Sequence, residues 1–167
     1  MKAKLTIDGK EFEVELSEEQ AKALTETKKK TGYERVGRKE KYYYAAHNGK
    51  VEFFPDVYDE SDNSLYNIVN YYSDKTVAED NARADKLYRQ LRRFAVEHRE
   101  KKIDWDDKAE KYYIYYDQYV EALCLEKSWG YRGFGLIFFD TRATAKLAVD
   151  TFKDELLWYF TEYKDSL

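Results

Sequence analysis

The stretch Glu40-Lys41-Tyr42-Tyr43-Tyr44 returns later in the chain as Glu110-Lys111-Tyr112-Tyr113-Ile114, and this repetition decides the predicted fold. Each copy runs on through a second strand-like stretch into an apolar strand and then into an amphipathic helix. Self-similarity at a fixed period is typical of one supersecondary unit built twice. We therefore predict an α+β fold with two tandem β-β-β-α repeats, over residues 32–103 and 104–167, whose helices pack on antiparallel sheet.

Alternating apolar residues and turn signals place three strands in each repeat. In the first repeat the expected strands are 41–46, 50–54 and 66–72, with Asn48-Gly49 as the hairpin turn. In the second repeat they are 111–117, 119–126 and 133–139.

The closing helix of each repeat follows a threonine. Thr76 is expected to cap a helix that runs to about Arg99, and Thr141 can cap one that reaches about Tyr163. On the second helix apolar side chains recur at helical spacing, from Ala145 to Phe160. Both helices should bury one face against sheet.

Residues 1–31 predict a separate N-terminal hairpin and helix. Leu5 and Ile7 alternate with polar residues up to the turn signal Asp8-Gly9, and the alternation resumes after it. Ser17-Glu18-Glu19-Gln20 is a capping-box pattern, which predicts a short helix to about Lys30.

Length and composition limit the class of protein. The chain has 167 residues, with 29 basic and 33 acidic side chains and a net charge of −4. Cys124 is its only cysteine, so an intramolecular disulfide is impossible and a reducing compartment is expected. No apolar run approaches the length of a membrane span. We expect a soluble cytoplasmic protein that does not use a membrane.

The charges are unevenly distributed along the chain. Residues 52–80 carry eight acids against Lys75, whereas residues 83–102 carry eight basic side chains against three acids. At about 100° per residue, five cations fall on one side of the predicted helix: Lys86, Arg89, Arg92, Arg93 and Arg99. Such a stripe could follow phosphates, although charged residues also occupy the solvent face of any amphipathic helix.

The stretch from Arg132 to Phe139 is similar to the RNP1 octamer of an RNA-recognition motif. In that arrangement Arg132, Phe134 and Leu136 would face nucleic acid. However, Leu136 stands where the second stacking aromatic belongs, and the candidate partner strand lies too close to leave room for the crossover helix. A strand that leads directly into a helix produces a similar string for structural reasons.

Little in the sequence points to catalysis. Cys124 has the pattern of a core thiol, His47 lies beside a turn, and His98 falls on the apolar side of its helix. The acids around Asp56–Asp62 and Asp104–Asp107 lack the spacing of a calcium loop. We therefore expect no enzyme, no metal site and no cofactor.

Several strings along nearly the whole chain resemble one family. They include Gly32-Tyr33-Glu34-Arg35-Val36, Leu91-Arg92-Arg93-Phe94-Ala95, Lys111–Asp117 and Leu157–Tyr163. Together they look like a family of small, mostly uncharacterised accessory proteins from phages and prophages of Firmicutes. The shared strings are aromatic strands and helix faces, so the resemblance carries over no catalytic residue.

The resemblance implies a protein that works inside the host bacterial cell by stoichiometric binding. Small phage accessory proteins often inhibit a host defence complex such as a CRISPR effector nuclease. Acidic side chains can compete for the basic channel of a nuclease, while aromatic rings anchor the contact. The residues that we predict to bind this partner are Asp56, Tyr58, Asp59, Glu60, Asp62 and Tyr66, and the basic helix is the other candidate contact.

Two alternatives remain open from the sequence. The first is binding of single-stranded nucleic acid, chiefly RNA, through the five cations of the basic helix together with Arg132 and Phe134. The second is a self-assembling structural component. Apart from function, exposed tyrosines and an edge strand in each repeat leave room for a homodimer.

Overall fold

The structure is a computed structural model that describes residues 2–7, 10–15, 17 and 30–163. It divides the chain into two compact units, Met1–Thr31 and Gly32–Leu167. The first unit contains an antiparallel hairpin of β1 (Lys2–Ile7) and β2 (Lys10–Glu15), in which Leu5 lies opposite Phe12. The short helix predicted to follow Ser17 lies outside the described residues.

The second unit is built from two hairpins and four helices within the described residues. In chain order these are β3 (Lys41–Ala45), β4 (Val51–Pro55), α1 (Glu60–Asn67), α2 (Lys75–Glu97), β5 (Lys111–Asp117), β6 (Ala122–Ser128), α3 (Arg142–Thr151) and α4 (Lys153–Thr161). Strand β3 pairs antiparallel with β4, and β5 pairs antiparallel with β6. The predicted α+β class is confirmed.

The third strand predicted for each repeat is wrong. Residues 66 and 67 end helix α1, and only Tyr72 joins the first hairpin, through a single bridge to Tyr43. The second hairpin likewise gains a single bridge, between Tyr112 and Phe139. In both bridges the two residues exchange N–H···O bonds of 2.7–2.9 Å.

Local chemistry explains both missing strands. Asp59 and Asp62 form a reciprocal capping box that starts α1, so the acidic segment becomes helical. In the second half, glycines interrupt the predicted strand, and Gly135 has a φ of +76° that an extended strand does not allow.

The repeated sequence is displaced by one residue between the two halves. The sequence repetition aligns Tyr42 with Tyr112, but the bridges make Tyr43 the counterpart of Tyr112. The buried residue that precedes each bridge is Tyr42 in one half, 1% exposed, and Lys111 in the other, 2% exposed. A shift of one residue turns a strand side chain to the opposite face, so identical letters have different environments.

Beyond the bridges the two halves continue in the same way. The predicted cap at Thr76 is wrong, because helix α2 has its N-cap at Asp74, two residues after Tyr72, and the Asp74 carboxylate accepts a hydrogen bond from the Thr76 backbone N–H. Helix α3 has its N-cap at Thr141, as predicted, two residues after Phe139. Four residues beyond each cap lies a fully buried alanine, Ala78 or Ala145. A side chain this small allows a helix to lie close to the element that it packs against.

Helix α2 supplies one side of the main core. Its Leu87, Leu91, Phe94 and Ala95 pack with Phe139 and with buried residues of α3 and α4. The second hairpin adds apolar side chains from one face of β5 and β6. His98, expected on the buried face, is instead an exposed C-cap whose ring stacks on Phe94 at 3.8 Å.

The single long helix predicted after Thr141 is divided into α3 and α4 at Phe152. The Thr151 hydroxyl donates a hydrogen bond of 2.7 Å to the Leu147 carbonyl just before this break. Threonine bonds of this kind bend helices, which agrees with the position of the break.

Candidate partner-binding surface

Two of the six residues predicted to contact a partner lie inside the protein. Asp56 is 0% exposed and Asp62 is 4% exposed. The Asp56 carboxylate accepts hydrogen bonds from Arg35 Nε at 2.8 Å and from the Tyr71 hydroxyl at 2.7 Å. Asp62 accepts one from the Tyr42 hydroxyl at 2.8 Å. A buried carboxylate needs such donors, and a partner cannot reach these two in this structure.

The hydrogen bonds keep Asp56 ionised although it is buried. Burial by itself raises the pKa of this carboxyl, but the donors from Arg35, Tyr71 and the backbone of Tyr58 outweigh it and lower the pKa to about 2. Burial, together with the hydrogen bond to Asp56, raises the pKa of the Tyr71 phenol above its usual range. The acid therefore stays negative and the phenol stays protonated at neutral pH, as their hydrogen bond requires.

Arg35 connects this buried network to the surface. Its guanidinium lies 4.6 Å from the centre of the Tyr58 ring and 5.4 Å from that of Tyr66. It also donates a hydrogen bond of 2.7 Å to the Asn63 side chain. Arg35 thus packs against both tyrosine rings, while each ring stays exposed to solvent. Nothing in the sequence pattern singled out Arg35 for this role.

Residues with left-handed backbone conformation stand at both ends of α1. Tyr58, just before the N-cap, has a φ of +64°, and Val69, just after the C-cap Ile68, has a φ of +59°. The N–H of Val69 bonds to the Tyr66 carbonyl and the N–H of Asn70 bonds to the Leu65 carbonyl, which together form a Schellman motif. Glycine is the usual residue at the position of Val69, and a β-branched side chain is strained there.

We call the exposed residues around this helix the α1 surface: Tyr58, Asp59, Glu60, Tyr66, Ile68 and Val69. Ile68 is 68% exposed and Val69 is 62% exposed, so neither contributes much to the core. The carboxylates of Asp59 and Glu60 stand at the N-terminal end of the helix, where its dipole favours negative charge. The surface therefore combines exposed apolar side chains with two accessible acids.

The residues of the nucleic-acid alternative are all exposed. Lys86, Arg89, Arg92, Arg93 and Arg99 face solvent on and just after α2. Arg93 lies 3.7 Å from Glu97, and Arg92 lies over the Tyr88 ring. The residues from Arg132 to Phe138 form no strand, so the arrangement of an RNA-recognition motif is not made there.

The glycine-rich loop after β6 nevertheless carries aromatic rings into solvent. Phe134 is fully exposed, and Trp129 and Tyr131 are more than half exposed. Cations accompany them, because Lys127 lies 5.0 Å from the Trp129 ring and Arg132 lies 4.5 Å from the ring of Trp105.

The described part of the chain offers little support for metal binding or for a membrane-spanning helix. No group of three or more histidine, cysteine or carboxylate side chains there has the proximity to hold a metal ion. None of the helices described combines the length and the apolar character that crossing a membrane requires. Cys124 lies partly exposed on β6, beside Tyr115 of the neighbouring strand.

Comparison of the chain with protein families, with characterised proteins and with solved structures finds no match.

Proposed function

We propose that this protein is a non-catalytic accessory protein of a phage or prophage that binds a host macromolecule and inhibits a bacterial defence complex, such as a CRISPR effector nuclease. The observation that carries the proposal is the α1 surface. Val69 has a strained, left-handed backbone conformation, and its side chain is exposed. Packing in the core therefore does not offset the strain. Strain of this kind collects at functional sites, where the surroundings hold it in place.

The buried network gives this surface a fixed shape. Arg35 supports the rings of Tyr58 and Tyr66 from below, and the Asp56 carboxylate bonds to the Tyr58 backbone N–H at 2.8 Å. A surface that is already ordered loses little conformational entropy on binding. Exposed aromatic and aliphatic side chains of this kind are typical anchors of protein interfaces.

The charge of the α1 surface specifies the chemistry of the partner. Asp59 and Glu60 are exposed, whereas Asp56 and Asp62 are not, so the acidic contact is smaller than the sequence suggested. It complements a basic protein surface, and the nucleic-acid channel of a nuclease is one.

The test is inhibition of DNA cleavage by guide-loaded CRISPR effector nucleases of the host, together with their affinity for this protein. The variant Glu60→Lys/Ile68→Ser reverses one exposed charge and removes one exposed apolar side chain, without touching the buried network. The control Asp154→Lys/Leu147→Ser makes the same two changes at exposed positions of α4 and α3.

We expect the wild type and the control to inhibit equally, and the α1 variant to need about tenfold more protein, because a few anchors carry most of an interface's energy. Equal inhibition by the variant and the control would refute the role of the α1 surface. Absence of inhibition and of binding across the host's effectors would refute the choice of target.

A second candidate function is binding of single-stranded RNA or DNA. It is favoured by the exposed rings of Trp129, Tyr131 and Phe134 beside Lys127 and Arg132, since bases stack on aromatic rings while cations hold the backbone. The measurement is a mobility-shift titration with fluorescent oligonucleotides at several salt concentrations. Affinity that falls steeply with salt, and that is lost in Arg132→Gln/Phe134→Ser, would support it. No shift at low salt would exclude it.

We also propose that residues 32–103 and 104–167 descend from one repeated unit, a hairpin, a bridging residue and a capped helix, placed twice around a shared core. The common spacing from bridge to cap to buried alanine supports this. Because α2 packs against α3 and α4, each half should be unfolded alone. Co-expressed halves should assemble, and circular dichroism of each separate half compared with the assembled pair tests this.

A further inference from the structure

An open cleft of about 430 Å³ lies among α2, α4, β5 and the segment that leads from Phe134 to Phe139. Its inner wall consists of the buried side chains of Leu87, Leu91, Phe139 and Leu156. Its size falls within the range of small-molecule sites, roughly 300–1,000 Å³. No residue of the α1 surface lines it, so it is a separate feature from the proposed partner-binding surface.

Aromatic rings stand at the mouth of this cleft. Tyr88, Phe134 and Tyr159 line it and are also exposed to solvent. The faces of such rings carry partial negative charge and attract cations. The Tyr88 ring makes such a contact within the protein, because the guanidinium of Arg92 lies 5.9 Å from its centre.

A single charged side chain, Asp85, lines the cleft among the described residues. Within the described part of the chain, no hydrogen bond or ion pair joins its carboxylate to another residue. Burial raises the pKa of the nearby Tyr163 phenol, and the negative charge of Asp85 is one of the smaller contributions that raise this pKa further. The carboxylate is therefore available to a ligand.

We propose that this cleft binds a small organic cation with an aromatic or aliphatic body. The apolar wall accepts the body, and the rings of Phe134 and Tyr159 together with Asp85 accept the positive head, since Arg92 already lies over the Tyr88 ring. A neutral ligand gains only the first contact, while an anion meets an unpaired carboxylate and the negative faces of the rings. This site goes beyond the proposed inhibition of a defence complex and stands on different residues.

The test compares three probes that share one apolar body: 3-phenylpropyltrimethylammonium, 3-phenylpropanol and 3-phenylpropanoate. Each is titrated into the full ¹⁵N-labelled protein, and amide chemical shifts report both the affinity and the location. Asp85→Asn removes the charge of the cleft. Glu97→Gln is the matched control, an exposed acid on the same helix that does not line the cleft. Ala84→Leu adds bulk to the lining.

We expect the cation to bind about tenfold more tightly than the alcohol, and the carboxylate probe to bind most weakly. In Asp85→Asn the affinity for the cation should fall close to that for the alcohol. Glu97→Gln should bind all three probes as the wild type does. Ala84→Leu should weaken the binding of both the cation and the alcohol, and its melting temperature shows whether this variant is folded.

Several results would overturn the proposal. One is equal affinity for the cation and the anion, and another is unchanged affinity for the cation in Asp85→Asn. Chemical-shift changes that map away from the cleft would also overturn it, as would the absence of cation binding at millimolar concentration. Cleft signals that change with protein concentration instead of probe concentration would assign the cleft to a second copy of the chain, and this would overturn it too.

Discussion

Replacement of Val69 tests the strained backbone on which the functional proposal depends. Val69 follows the C-cap of α1 with a φ of +59° and both hydrogen bonds of a Schellman motif. A left-handed conformation costs a non-glycine residue about 1–2 kcal/mol. Glycine avoids this cost, but it loses about 0.5–1 kcal/mol more than alanine in conformational entropy on folding. Val69→Gly should therefore be more stable than Val69→Ala by about 0.5–1 kcal/mol.

The comparison with alanine is the decisive one, because both variants lose the same valine side chain. At an ordinary helical position the order is reversed, and glycine is less stable than alanine by about 0.8–1 kcal/mol. Val96, an exposed valine of α2, is the matched control for this reversal. Urea unfolding followed by circular dichroism gives the four free energies of unfolding, and differences of this size are resolved when the m-values agree.

Lower stability of Val69→Gly than of Val69→Ala would refute the left-handed conformation. The same variant also removes a side chain from the α1 surface. It should then bind the host target more weakly than the wild type while being no less stable than Val69→Ala, the pattern expected where strain serves binding. Unchanged affinity would separate the strain from the function and contradict our explanation of it.

Three further predictions concern buried charges and a close backbone approach. Asp56→Asn should lower the free energy of unfolding by about 3 kcal/mol, because it leaves the donors of the buried network without a charged acceptor. The pKa of Asp56 is lowered from 3.8 to about 2, so its stabilising contribution to folding is present above pH 3.8 and is lost as the pH falls towards 2. The stability of the wild type should therefore fall in that window, and this part of the pH dependence should be absent from Asp56→Asn. Asp107→Ala should lower the free energy of unfolding in urea more than Lys111→Met does, because only the first leaves a buried ammonium without the carboxylate that lies 2.6 Å from it. Equal losses would contradict this. Gly32→Ala should lower the free energy of unfolding by about 1 kcal/mol more than Gly49→Ala does. Both glycines have positive φ, but only a Cβ at position 32 would lie 2.7 Å from a valine methyl group of α2. Thermal unfolding of the two variants under the same conditions tests this.

The hairpins of the second unit were predictable because their signals are local. Asn48-Gly49 marks the first turn, and the strands around it were placed within one residue of β3 and β4. The tyrosine-rich run placed β5 at residues 111–117, as the structure has it, whereas β6 spans Ala122–Ser128 instead of the predicted 119–126. The missing third strands also have local causes, the Asp59–Asp62 capping box and Gly135, and these outweigh the repeated pattern.

The candidate site was predictable only in part. Tyr58, Asp59, Glu60 and Tyr66 are exposed as a partner-binding role requires, whereas the carboxylates of Asp56 and Asp62 are not. All of these residues lie in one run of acids and tyrosines, and the run itself has no periodicity that separates buried from exposed members. Arg35, which supports the two rings, is distant in the chain and unremarkable in its pattern.

The amino-acid sequence determined where the hairpins and helices of this protein form, because turns, caps and alternation act between residues that are near neighbours in the chain. The tertiary structure alone decided which charges are internal. Asp56 is buried because Arg35 and Tyr71, 21 residues before it and 15 after it, bring the donors that an ionised carboxylate needs away from water. Lys111 is buried and Lys41 is exposed because a one-residue displacement between the two hairpins places them in different surroundings.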